Sequence, residues 1–300
     1  MRSSPVAGRR RMSPQARAAW LFLAPSLAVL GAFSLYPMLR AGYLSFTSYN
    51  LLGSPDWVGL RNYRQLLHDP DAGRALLNTL YYSVVTTVLS VLLALFVAVI
   101  LNRKFAMQAF ARTAIFLPFI VSTGIISLAW TYLLNPQVGL LTQWLAHLGL
   151  APAQGFLQTP GWAMPAVIAV GVWKNLGFYV VMYLAGLQSV PRELYEAAET
   201  DGAGPIRRFF RITWPLLANQ TMLVAIIATI NNVQVFDQIY VMTNGGPIHS
   251  TETLVMLLYH DGFTQLQFGY ASALSWVLMA VMFVLTLGQF FYFRRRAVSY

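Results

Sequence analysis

Cysteine is absent from this 300-residue chain, so it offers neither disulfides nor thiolate metal ligands. Charge is scarce: 10% of residues are Asp, Glu, Lys or Arg, against about 25% in a soluble globular domain. Only two lysines occur, Lys104 and Lys174. Neither follows a glycine-rich loop, which excludes a Walker A phosphate cradle. The four histidines, at 68, 147, 249 and 260, have no HExxH-type spacing. Glu193, Glu196 and Glu199 fall at i, i+3 and i+6, but no histidine accompanies them. No catalytic set and no metal site is therefore expected. Internal repeats are missing as well.

What the chain has instead is apolar length. It is 57% hydrophobic, with a mean hydropathy of +0.56. Runs at roughly 18–38, 76–101, 113–134, 162–187, 219–243 and 269–293 each have room for about 20 membrane-spanning residues. The first run follows a basic tail and invites a signal-peptide reading. It is longer than a signal core of about 7–15 residues, and no small-x-small cleavage site follows, so it reads as an uncleaved first helix. All-α architecture with six transmembrane helices is the expectation.

The net charge of +10 does not point to nucleic acid, because the basic residues cluster beside apolar runs as topology signals do. With the amino end inside, fifteen basic residues fall on the cytoplasmic side and four (Arg40, Arg61, Arg64, Arg74) outside, with Lys174 in a span. Both termini and the loop 191–215 are thereby expected in the cytoplasm.

That loop, PRELYEAAETDGAGPIRRFFRITWP, holds four of the ten acidic residues (Glu193, Glu196, Glu199, Asp201), followed at once by Arg207, Arg208 and Arg211. Local physics divides it into two short helices. Ser189 is a candidate N-cap with Pro191 in the first turn, and Glu193 and Glu196 lie near the positive end of the dipole. Asp201-Gly202 ends this helix, since glycine accepts the left-handed backbone that stops one. Pro205 starts the second, on which Ile206, Phe209, Phe210 and Thr213 are expected to share a face while the arginines meet lipid headgroups or a partner.

The order Glu196-Ala197-Ala198, Gly202, nine residues to Ile212, then Pro215 closely resembles the EAA signature in the membrane subunits of binding-protein-dependent ABC importers. Trp214 stands where that signature usually has leucine. The stretches WKNLGFYVVMYLAGLQSVPRELYEAAETDGA and VFDQIYVMTNGGPIHST, and DWVGLRNYRQLLHD ahead of Asn78-Thr79, are similar to the carbohydrate-uptake branch, which includes maltose-, lactose- and glycerol-phosphate-type systems. The resemblance runs from about residue 18 to the end.

It implies a type I ABC importer permease fold over residues 18–300, with residues 1–17 as a basic cytoplasmic tail and a coupling loop at about 188–216. It implies that Glu196, Ala197, Ala198, Asp201, Gly202 and Ala203 pass the motion of separate ATPase subunits to the membrane helices. The implied partners are a second permease subunit, two ATPase subunits and an extracytoplasmic solute-binding protein, in a bacterial cytoplasmic membrane. ATP and Mg would be bound by the ATPase, with no cofactor in this chain.

Polar side chains at membrane depth are costly and usually face a cavity or each other. Treated as one helix, the fifth span puts Asn231, Gln234 and Gln238 within a sector of about 60°, flanked by Asn232 and Asp237. Phe236 and Tyr240 offer ring faces beside them. The fourth span adds Lys174, Asn175 and Phe178, with Gly171 and Gly177 allowing close helix approach. These groups suit a hydroxyl-rich solute. They equally suit helix-to-helix glue, with Lys174 paired to Asp237 as one example, and the sequence leaves the two open. The same ionisable pair keeps an ion-coupled secondary transporter as the alternative function. Turns are expected at 135–161, with a short helix at 139–148, and at 244–250, followed by an amphipathic stretch with His260 and Asp261.

Overall fold

The computed structural model describes residues 14–103 and 106–294; the basic tail up to residue 13, Lys104 and the arginines at 295 and 296 lie outside them. Helix α1 (Pro14–Leu30) runs through a π-helical turn, Gly31–Leu35, into Tyr36–Leu44. Then come α2 (Arg61–His68), α3 (Pro70–Leu101), α4 (Gln108–Ile120), α5 (Thr123–Leu133), α6 (Leu140–His147) and α7 (Pro160–Gln188). The chain continues with α8 (Arg192–Thr200), α9 (Pro205–Leu216), α10 (Ala218–Val233), α11 (Asp237–Met242), α12 (Leu254–Tyr259) and α13 (Phe268–Arg294). A two-residue antiparallel ribbon, Thr47–Ser48 with Asp56–Trp57, is the one departure from all-α among the described residues.

Four helices are long and apolar enough to cross a membrane unaided: Ala19–Leu44, Pro70–Leu101, Pro160–Gln188 and Phe268–Arg294. Two of the six expected spans are broken. The third bends by 98° between α4 and α5. Pro118 is accommodated inside α4, and the chain leaves the helix only after Ile120, where Val121 turns extended. The fifth follows a 66° bend at Leu217, where α9 of the hairpin meets α10, and its own break comes where α10 stops at Val233, well short of the expected 243. No glycine or proline marks that stop. Asn231, Asn232 and Asp237 are weak helix formers, and Asp237 does better in the first turn of α11, where a carboxylate meets the positive end of a dipole. Counting each bent pair as one crossing gives the expected six.

Helix α3 shows how the bundle packs. Asp69 caps it, accepting the Asp71 N–H at 2.9 Å, with Pro70 in the first turn. Its start therefore precedes the apolar window. Its buried face is small or hydroxylated (Ala75, Thr79, Ser83, Thr86, Ser90, Ala94, Ala98), while Leu77, Val84, Leu92 and Phe96 point outward. Lipid gives no hydrophobic drive between helices, so small residues go inside, where they let backbones approach. Helix α7 packs along α3, and α10 and α4 pack on that pair. An apolar cluster at one end gathers Leu101, Leu187 and Leu217; at the other, Ala72, Leu254 and Tyr270 pack together. Since α7 spans about 43 Å at 1.5 Å per residue, the hairpin after it and the loops before it lie at opposite ends.

The loops at the end away from the hairpin are pinned by Asn78 and Thr79. Asn78 Nδ2 donates to His249 O at 3.0 Å and to Glu252 O at 2.9 Å. Thr79 Oγ1 accepts the Leu254 N–H at 2.9 Å. Helix α6 falls within the 139–148 expected for it.

Candidate functional site: a charged hairpin and two cavities

The hairpin between α7 and α9 departs from expectation at its start. Ser189 does not cap α8: its hydroxyl donates to Gly186 O at 2.8 Å and so closes α7, and Pro191 occupies the N-cap position of α8 without a side-chain cap. The other end follows the sequence. Gly202 takes φ +73°, its N–H reaches Glu199 O at 2.9 Å, and the Ala203 N–H reaches Ala198 O at 2.8 Å. That pair of bonds is a Schellman turn.

Glu196, Ala197, Asp201 and Gly202 are exposed and Ala198 and Ala203 half-buried, so the six residues marked from sequence form one solvent-facing turn. Two side-chain contacts tie α8 to α9: Tyr195 Oη with Thr213 Oγ1 at 3.0 Å, and an ion pair of Arg208 with Glu199. The apolar face expected on α9 is split. A π-helical turn over Phe209–Thr213 sends Phe209 and Thr213 inward, and leaves Ile206 76% and Phe210 64% exposed beside Arg207 and Arg211.

All seven polar residues marked in the spans line one cavity of about 340 Å³, joined by Tyr82, Phe119, Thr123, Val235 and Phe236. The break after α10 makes this possible, because it turns Gln234–Gln238 across the end of that helix. It also undoes the single stripe, which assumed an unbroken helix. Gln238 is buried, its Nε2 donating to Val167 O at 2.6 Å and its Oε1 accepting from Tyr82 OH at 3.1 Å. Asn232 is buried against Thr87 Oγ1 at 3.0 Å, and Asn175 Nδ2 donates to Gly171 O at 3.1 Å. Gln238 and Asn232 thus knit helices together, while Asn175 bonds back onto its own helix, α7.

Asn231, Gln234 and Asp237 remain exposed, with Gln234 Nε2 touching Met282 Sδ at 3.5 Å. Lys174 is buried, its Nζ 5.5 Å from the Phe119 ring centre. Asp237 lies within electrostatic reach of it, yet among the described residues no ion pair joins the two. Tyr82 and Phe119 carried no signal in the sequence, since each is an aromatic in an apolar run.

A larger cavity, about 710 Å³, opens at the opposite end from the hairpin. Tyr270 OH donates to Asp69 Oδ2 at 2.6 Å, His249 Nδ1 meets Glu252 Oε2 at 2.5 Å, and His260 Nδ1 lies 3.5 Å from Asp261 Oδ1. Burial pushes the Asp261 carboxyl above the ordinary range, and the His260 ring offsets part of that. Its acidic members lie between positions 69 and 261, so no local pattern announced it. Among the described residues no group of three or more histidine or acidic side chains has metal-holding geometry.

Comparisons with known proteins cover most of the chain. The family model described as the binding-protein-dependent transport system inner membrane component matches residues 90–298. A probable ABC transporter permease protein, YurN of Bacillus subtilis, is 35% identical over 92% of this chain and 95% of its own. The sulfoquinovosyl glycerol transport system permease protein SmoG of Agrobacterium fabrum is 36% identical over 89% and 87%. The sn-glycerol-3-phosphate transport system permease protein UgpA of Escherichia coli is 36% identical over 97% of each. A chain in the crystal structure of a bacterial ABC transporter that imports the acidic polysaccharide alginate superposes with a TM-score of 0.82 at 23% identity, covering 94% of this chain and 96% of that one. A related structure holds such a transporter in complex with an alginate pentasaccharide-bound periplasmic protein.

Proposed function

Because the chain belongs to the binding-protein-dependent transport system inner membrane component family, we propose that it is one permease subunit of an ATP-driven importer for a carbohydrate or glycerol-phosphate-like solute. The observation that carries this reading is the convergence of Lys174, Asn175, Asn231, Asn232, Gln234, Asp237 and Gln238 on one cavity inside the bundle. Amides that donate and accept, beside ring faces such as Phe236, are the chemistry a hydroxyl-rich solute needs.

The hairpin 189–204 is the coupling element, facing the cytoplasm with both termini. There it docks on one of two ATPase subunits, which bind ATP and Mg. A second permease subunit completes the passage, and an extracytoplasmic binding protein delivers solute to the opposite end. Differential binding of the ATPase to two arrangements of the hairpin is what moves the equilibrium of the bundle. This chain alone should move nothing.

The test is solute uptake by membrane vesicles holding the whole assembly, with and without the ATPase subunits. Uptake that disappears with them supports the importer. Uptake that survives, and follows an ion gradient, means an ion-coupled secondary transporter built on Lys174 and Asp237.

Within the cavity the residues should divide by role. Alanine at Asn231 and Gln234 together is expected to cut solute-stimulated ATP turnover about tenfold, at roughly one hydrogen bond's worth each. Gln238→Ala strands the buried Tyr82 hydroxyl and removes the bond to the Val167 carbonyl, at a cost of about 1–3 kcal/mol of stability. It should lower the unfolding temperature and all activities together.

A further inference from the structure

A chain of aromatic rings connects the two cavities. Phe236 lines the inner cavity, while Tyr240 and Tyr259 line the outer one. Phe236 and Tyr240 stack with centroids 5.4 Å apart and planes 26° from parallel. Tyr259 closes the triangle at 5.0 Å from Phe236 and 5.5 Å from Tyr240, and Phe263 stacks on Tyr259 at 5.6 Å. The break at 234–236 between α10 and α11 is what brings Phe236 to this position, with φ −135° and ψ −65°. The path is open to solvent at Tyr240, which is 43% exposed, while Phe236 and Tyr259 are half-buried.

Charge narrows what such a path accepts. No lysine or arginine lines the outer cavity, whereas Asp69, Asp71, Glu252 and Asp261 do, against two imidazoles. In the inner cavity Lys174 and Asp237 offset one another. An anionic solute would meet net negative charge on the outside and no net positive charge within. A sugar ring needs the reverse of an anion site: carboxylates and phenols to accept its hydroxyl protons, and aromatic faces for its C–H face.

We propose that the outer cavity is the first acceptor for the solute, and that Tyr259, Tyr240 and Phe236 hand an uncharged, hydroxyl-rich ring down to the inner cavity. This rests on the importer reading and narrows its solute class. Stacking fixes only the ring plane, so the solute slides between ring faces without breaking a set of directed bonds at each step.

Two measurements on the complete complex test this. The first labels it with 3-fluorotyrosine and assigns the ¹⁹F resonances of positions 240 and 259 by their loss in Tyr240→Phe and Tyr259→Phe. Maltotriose as the uncharged probe at about 10 mM, within reach of a weak site, should shift both resonances, and sn-glycerol 3-phosphate at the same concentration should shift neither. A shift with the anion, or none with the sugar, overturns the proposal.

The second is uptake of the solute delivered by the binding protein. Tyr240→Ala with Tyr259→Ala should raise its half-saturating concentration about tenfold, and phenylalanine at both should return it to within about twofold, since the ring face is kept. Wild-type uptake in the alanine pair removes the path. Loss of binding-protein capture in that pair, with the ¹⁹F lines still, reassigns the cavity to protein docking. Uptake independent of the ATPase is a separate result, which sinks the importer reading itself.

Discussion

Replacing Gly202 with valine should abolish uptake while the subunit still accumulates in the membrane. At φ +73° a β-branched residue is strained by on the order of 1–2 kcal/mol, and the two bonds that close α8 hold Gly202 and Ala203 in that turn. Nothing lies within 4 Å of where a Cβ would be built, so no core contact is disturbed and the damage stays in the hairpin. The turn opens, and Glu196 to Ala203 no longer present one surface.

Asparagine tolerates the left-handed region and serves as the control. Gly202→Asn should keep much of the uptake if backbone geometry is what matters, and lose it if a partner packs directly on the bare backbone. The measurements are uptake in intact cells, subunit level in isolated membranes, and co-purification of the ATPase. Normal uptake in Gly202→Val would remove the hairpin from the coupling path.

Gly177→Leu is expected to have the largest effect on stability. A Cβ on Gly177 would be 2.2 Å from Ile115 O and 2.6 Å from Phe116 Cα. Both are backbone atoms of α4, so no side chain can swing aside. Overpacking costs about 1–3 kcal/mol where side chains absorb it, and here two helices must part. The stack of Phe119 on Phe178, centroids 4.6 Å apart, lies beside this crossing and goes with it. A cost of about 3 kcal/mol corresponds to a fall of roughly 5 °C in the unfolding temperature of a chain this size. Gly161→Ala, on the same helix with open space around it, should move it by no more than about 1 °C. Equal shifts in the two variants would mean that α4 does not lean on Gly177.

Apolar length was the most legible feature of the sequence, and the long helices α3, α7 and α13 follow it closely. Their ends are set by chemistry that a hydropathy window does not see, such as the Asp69 cap that starts α3 before its apolar run. The two broken spans differ in kind. The bend after α4 has a proline close by, Pro118, although that residue is held inside the helix and the chain turns three residues later. The stop at Val233 has no local mark beyond weak helix formers, and a periodicity argument across 219–243 had no means of detecting it.

That one break decides the cavity. The seven polar residues were identifiable by type, because amides and charges stand out at membrane depth. Their division into knitting and solvent-facing groups depends on where α10 ends. In the hairpin, Gly202 was readable because one backbone conformation needs one residue type. Ser189 was misassigned because the same side chain suits the start of one helix and the close of another. The aromatic chain is a matter of which rings meet in space, and Phe236, Tyr240 and Tyr259 become neighbours only through the turn at 234–236.

The first helix bears on how the molecule is made. None of the most apolar stretch of Ala19–Leu44 is buried against the rest of the protein. Its backbone bonds are satisfied within the helix, so lipid is the only solvent its side chains require. Only its last turns lean on a later element, where Gly42 meets the Trp276 ring of α13; the rest reaches its final form on insertion. The ribosome releases most of an anchor before any of the bundle exists, and the five remaining passes assemble beside it.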